Sequence, residues 1–79
     1  MSEKILNEEK ISREEVADRL QAIADEFREG GDANIDVGNK TVTLSPADSV
    51  AYEIGTRELS SVLRGSRESV TIKLDWKPE

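Results

Sequence analysis

Residues 69–76 alternate polar and apolar side chains without interruption and end on the chain's one tryptophan. Along an extended strand, successive side chains point to opposite faces. The spacing therefore places Val70, Ile72, Leu74 and Trp76 on one face and Thr71, Lys73 and Asp75 on the other. A slip of one residue would exchange the two faces, so the pattern fixes the register of any strand that pairs with it. A chain with such a strand builds a sheet with one apolar face, and that face needs a cover.

The cover is legible upstream. Ser12, Arg13, Glu14 and Glu15 form a capping box, in which the serine oxygen accepts from the Glu15 amide and the Glu15 carboxylate reaches back to the Ser12 amide. Val16, Leu20, Ile23, Ala24 and Phe27 follow at the spacing of one apolar helix face, and Gly30 with Gly31 supplies the left-handed ending. Before the helix, Ile5, Asn7, Glu9 and Ile11 share a phase that Leu6 breaks. Residues 4–11 thus read as an unevenly packed edge strand whose charges discourage pairing with other molecules.

After the helix, residues 34–37 and 40–45 read as short strands joined by a tight turn at Gly38 and Asn39. Pro46, Ala47 and Asp48 form a turn, and Val50, Tyr52 and Ile54 restart the alternation as a fourth strand. Residues 55–69 admit two readings. Leu59, Val62 and Leu63 have the spacing of a helical turn ended by Gly65, whereas Gly65 and Ser66 also suit the turn of a long hairpin; the hairpin with an irregular, partly exposed connection is preferred. The last strand, residues 70–76, stops before Pro78. The expected fold is α+β: a single domain over residues 1–79, in which one amphipathic helix packs on a mainly antiparallel sheet of about five strands, in the order β-α-β-β-β-β, as a two-layer sandwich.

The helix start at Ser12, Arg13, Glu14, Glu15, Val16 and Ala17, the double glycine, and the alternating segment ending in Trp76 resemble the amphi-Trp domain. This small domain is common in haloarchaea and takes its name from such an amphipathic strand and its tryptophan. The resemblance spans nearly the whole chain. Residues 56–69 depart from it, since a tighter and more acidic turn is expected there. The resemblance implies a small cytoplasmic archaeal domain adapted to salt, and it implies no established activity, so it assigns no functional residue.

Composition narrows the chemistry. The 79 residues include no cysteine and no histidine, which excludes disulfides and thiolate metal sites and removes the commonest metal ligand and general base. A net charge of −6 repels phosphates and argues against nonspecific binding to nucleic acid or anionic membranes. The chain has no long apolar run, so neither a signal peptide nor a membrane span is expected. Glu8 with Glu9 and Glu14 with Glu15 are paired carboxylates, but neighbours on a strand point apart and the second pair is explained by helix capping. Ser60, Ser61, Ser66 and Ser69 cluster with Thr56 and Thr71, where the absence of histidine favours turn solvation over nucleophilic use. Neither glycine fingerprint of nucleotide binding is present around Gly30 and Gly31.

The candidates that remain are Trp76, Arg57, Arg64 and Arg67. Trp76 shares the phase of Val70, Ile72 and Leu74, which favours a place closing the core over an exposed aromatic anchor. The three arginines either grip an anion or are solvated loop charges offset by Glu58 and Glu68; the interleaved acids favour the second. No catalytic residue, metal ligand, cofactor or small-molecule ligand is expected. The sequence points to a noncatalytic module that binds a protein partner or self-associates as a homodimer. The alternative is a small nucleic-acid-associated protein that uses the arginines, with Trp76 or Tyr52 for stacking.

Overall fold

The computed structural model describes residues 4–78; the opening Met1, Ser2 and Glu3 lie outside them. Helix α1 spans Arg13–Glu29, and four strands follow: β1 (Ala33–Val37), β2 (Lys40–Leu44), β3 (Ala51–Leu59) and β4 (Arg67–Asp75). The fold is α+β. The strands form two antiparallel two-stranded sheets, β1–β2 and β3–β4, and the chain divides into two compact units, residues 1–46 with 78–79 and residues 47–77. No helix among the described residues is long and apolar enough to cross a membrane.

In the first unit, α1 begins as its sequence dictates. Ser12 takes an extended conformation, its Oγ accepts from the Glu15 amide at 3.0 Å, and its carbonyl accepts from the Val16 amide at 3.0 Å. The return bond of the expected capping box is replaced: Glu15 Oε1 accepts instead from Arg19 Nε at 3.2 Å. A guanidinium one turn along the same face offers a charge-assisted donor, which competes well with a neutral amide. Gly30 ends the helix at φ 78°.

The apolar stripe of α1 is used unevenly. Ile23 and Phe27 are half-buried, while Val16 and Leu20 remain 43% and 48% exposed. The packing centre is Ala33 in β1, at 0% exposure the one buried hydrophobic residue among those described. Glu26 fixes the join, its Oε1 accepting from the Asn34 amide at 2.7 Å. The β1–β2 hairpin pairs Ala33 with Leu44, Ile35 with Val42 and Val37 with Lys40 on one face. On its other face, Thr43 donates to Asn34 and Thr41 to Asp36, each at 2.8 Å, and these pairs lie directly across the ladder. In the turn, Gly38 has φ 66° and Asn39 is not positive. Those are the φ signs of a type II′ turn, which places glycine first.

Two sequence expectations are corrected here. Residues 4–11 are not a strand. Two of the four residues in their phase, Asn7 and Glu9, are polar and hydrogen-bond each other at 2.7 Å through their side chains, so the phase supplies no apolar face to hold the segment in a sheet. The single five-stranded sheet is likewise replaced by two pairs, because alternation fixes which face a residue takes and not which strand lies beside it.

The second unit is the β3–β4 hairpin, in register from Ala51 opposite Asp75 to Leu59 opposite Arg67. The hairpin reading of residues 55–69 is the one observed: Leu59 ends β3, and residues 62–64 form a turn that is not helical. The Gly65 amide donates to the Ser61 carbonyl at 3.0 Å, the Ser61 amide donates to Gly65 at 3.1 Å, and Ser61 Oγ accepts from the Arg64 amide at 3.1 Å. Gly65 supplies the positive φ, 77°, that closes this loop.

Two substitutions test these joints. Ser12→Ala is expected to lower stability by about 1 kcal/mol in chemical denaturation, the usual cost of losing an N-cap. Gly38→Ala is expected to cost a further ~1–2 kcal/mol of the same kind, since its backbone lies in the left-handed region. A Cβ there would also meet Asn7 Oδ1 at 2.9 Å. Stability equal to that of the parent chain in either variant would contradict the geometry described.

Candidate interaction surface

Two surfaces concentrate the chain's chemistry. The first is a polar cleft of about 860 Å³ in the first unit, lined by Asn7, Glu9, Arg19, Glu26, Asn34 and Asp36 together with Ala22 and Ile23. Arg19 organises it. Its guanidinium donates to Glu9 at 2.9 Å and to Glu15 at 3.2 Å, drawing one member of each acidic pair noted in the sequence onto a single cation. The hydrogen bond from Arg19, followed by that from Asn7, holds the Glu9 carboxyl below the ordinary range, and the two carboxylates hold Arg19 more firmly protonated. All three side chains are more than two-fifths exposed, so solvent screens these pairs and they orient residues more than they stabilise them. Among the described residues no group of acids is arranged to hold a metal ion.

The second surface is the β3–β4 hairpin. The register places Tyr52, Ile54, Thr56 and Glu58 on one face with Leu74, Ile72, Val70 and Glu68 directly opposite. Apart from Thr56 and the two glutamates at the turn end, that face is apolar, and it is open: Tyr52 and Val70 are 64% exposed, Ile54 53% and Ile72 45%. Every residue of both strands is exposed, Leu74 least at 37% among the large apolar ones. Val62 and Leu63 at the tip are fully exposed as well.

The four residues singled out in the sequence all belong to this unit and lie apart within it. Arg57, opposite Ser69, and Arg67, opposite Leu59, share the polar face. Arg64 sits in the turn. Trp76 follows the last residue of β4 at the far end and is half-buried, as is Val50, which precedes β3. A nine-residue strand spans about 27 Å, so the turn arginines stand a full hairpin length from Trp76 and Tyr52. The Glu9–Arg19 pair escaped the sequence reading because its partners are ten residues apart across a chain reversal. The Glu15–Arg19 contact carried a signal in its i,i+4 spacing.

Glu9 offers a direct check. Its depressed pKa in the folded state means that its contribution to stability is present above the ordinary carboxylate range and is lost as pH falls through the folded value. In Arg19→Gln, the Glu9 carboxyl is expected to titrate closer to the ordinary value by side-chain NMR. An unchanged titration would mean that Arg19 is not its partner in solution.

No curated protein and no solved structure is significantly similar to the chain. A family model does match, over residues 1–79. The chain belongs to the Amphi-Trp domain family.

Proposed function

We propose that the chain is a noncatalytic cytoplasmic interaction module whose binding surface is the β3–β4 hairpin. The observation that carries this reading is the apolar strip of Tyr52, Ile54, Val70, Ile72 and Leu74, set in register on one face and left open to solvent. A monomer rarely exposes a contiguous apolar surface without a use for it. An isolated two-stranded hairpin is also only marginally stable in water, so a partner that extends or covers this one stabilises it. The polar cleft supports catalysis poorly, because each of its charged side chains already has a hydrogen-bond partner and the chain lacks histidine and cysteine.

The nucleic-acid reading has less support. Stacking platforms work when aromatic rings and backbone-binding cations line one groove. Here Arg57 and Arg67 lie on the face opposite Tyr52, and the net charge is −6.

A photo-crosslinking amino acid placed at Val70, and in a second variant at Asp18 on the exposed side of α1, tests the assignment. Irradiation in cells and of the purified chain is expected to give intermolecular products from position 70 in clear excess over position 18. Equal yields from the two positions, or none from position 70, would remove the hairpin as the binding surface.

A further inference from the structure

We infer that the hairpin's partner is a second copy of the chain, joined along the free edge of β4 in an antiparallel register centred on Thr71. The inference rests on the proposal that the hairpin is the binding surface, and it specifies the partner. It starts from two charges that the hairpin leaves unopposed. Within β3–β4, Glu53 stands opposite Lys73, but Arg67 faces Leu59 and Asp75 faces Ala51. Neither Arg67 nor Asp75 forms an ion pair among the described residues. These two residues bound β4 at its two ends, at equal distances from Thr71.

A two-fold axis through Thr71 therefore brings Arg67 of each copy opposite Asp75 of the other, twice over. It also sets Val70 against Ile72 and Glu68 against Leu74 on both sides of the axis, Thr71 against itself, and Ser69 against Lys73. Directly opposed residues of antiparallel strands share a face, so the aliphatic pairs fall on the apolar face and the charge pairs on the polar one. Neighbouring registers lose this match. An axis at Val70 opposes Arg67 to Lys73, and an axis at Ile72 opposes Arg67 to Lys77 and leaves Asp75 against Ser69. The β3 edge is the poorer choice: its centre is Gly55, which has no side chain to pack, and its Glu53 already has Lys73 across the hairpin. Pairing through β4 is isologous and closes at two copies. It turns two strands into four, the order β3–β4–β4–β3, with the apolar residues of both copies on one face, and so passes the size at which a sheet becomes stable by itself.

The chain has no cysteine, which permits a register-specific test. Thr71→Cys places two thiols opposite each other at the axis, within the Cα separation a disulfide spans. Lys73→Cys separates them by about 13 Å along the strands. Mild oxidation is expected to give a disulfide-linked dimer quickly from the first variant, with little from the second or from Gly55→Cys. Equal rates for the three would overturn the register.

Charge exchange provides a second arm, read by sedimentation at about 0.15 M salt, where the net charges of two copies are largely screened. Arg67→Asp and Asp75→Arg should each weaken the dimer by about tenfold or more, since each converts two attractive pairs into repulsive ones. A 1:1 mixture of the two variants should restore association, as should the double exchange within one chain. Circular dichroism separates lost pairing from lost folding. A parent chain that stays monomeric at high micromolar concentration while position 70 still crosslinks to other proteins would refute the homodimer and leave the interaction reading standing. Absence of every crosslink would refute both.

Discussion

A two-stranded antiparallel sheet has two free edges and two open faces, and this constraint governs both units of the chain. In the first, other parts of the same segment answer it. Helix α1 packs on β1 around Ala33, the Glu26 carboxylate takes the Asn34 amide, and Ile5 lies beside the apolar side of the hairpin with Ile35, Val37, Val42 and Leu44. In the second unit the sheet is longer and more regular, yet every residue of its strands is exposed. The longer a ladder runs, the more apolar surface it aligns on one side, and the greater the gain from a further strand or cover.

Local physics accounts for what the sequence makes legible. Ser12 and Gly30 bound α1 because capping is decided within four residues. Gly38 and Gly65 mark the two turns because each needs a positive φ. The alternation through Val70, Ile72 and Leu74 names the apolar face of β4 correctly. What the sequence conceals is pairing over distance. Asn7 and Glu9 share a strand-like phase with Ile5 and Ile11, but their side chains are committed to each other and, through Glu9, to Arg19. The alternation of Tyr52 and Ile54 says equally little about whether β2 or β4 lies beside β3.

The same limit applies to the candidate site. Parity alone puts Arg57 and Arg67 on one face and Tyr52 on the other once both strands are assigned. The unopposed state of Arg67 and Asp75 becomes visible only with the register, because it depends on Leu59 and Ala51 standing across from them. Trp76 continues the phase of β4 but falls one residue past its last ladder position. Its place is thus set by where the ladder ends rather than by the alternation that singles it out.

The charges on β4 carry two demands that pull against each other. A long exposed strand with an apolar face is a template for indiscriminate edge-to-edge growth, and proteins blunt such edges with charge. Lys73 and Glu68 do this here, and Glu58 opposite Glu68 adds a like-charge pair at the turn end of the apolar face. Complete blunting would forbid any partner at all. Opposite charges at equal distances from the strand's centre would satisfy both demands in the proposed dimer, because one antiparallel alignment sets Arg67 against Asp75 at both ends and its neighbours do not. Apolar area then supplies the attraction, and the placement of a few exposed charges decides the alignment in which it is used.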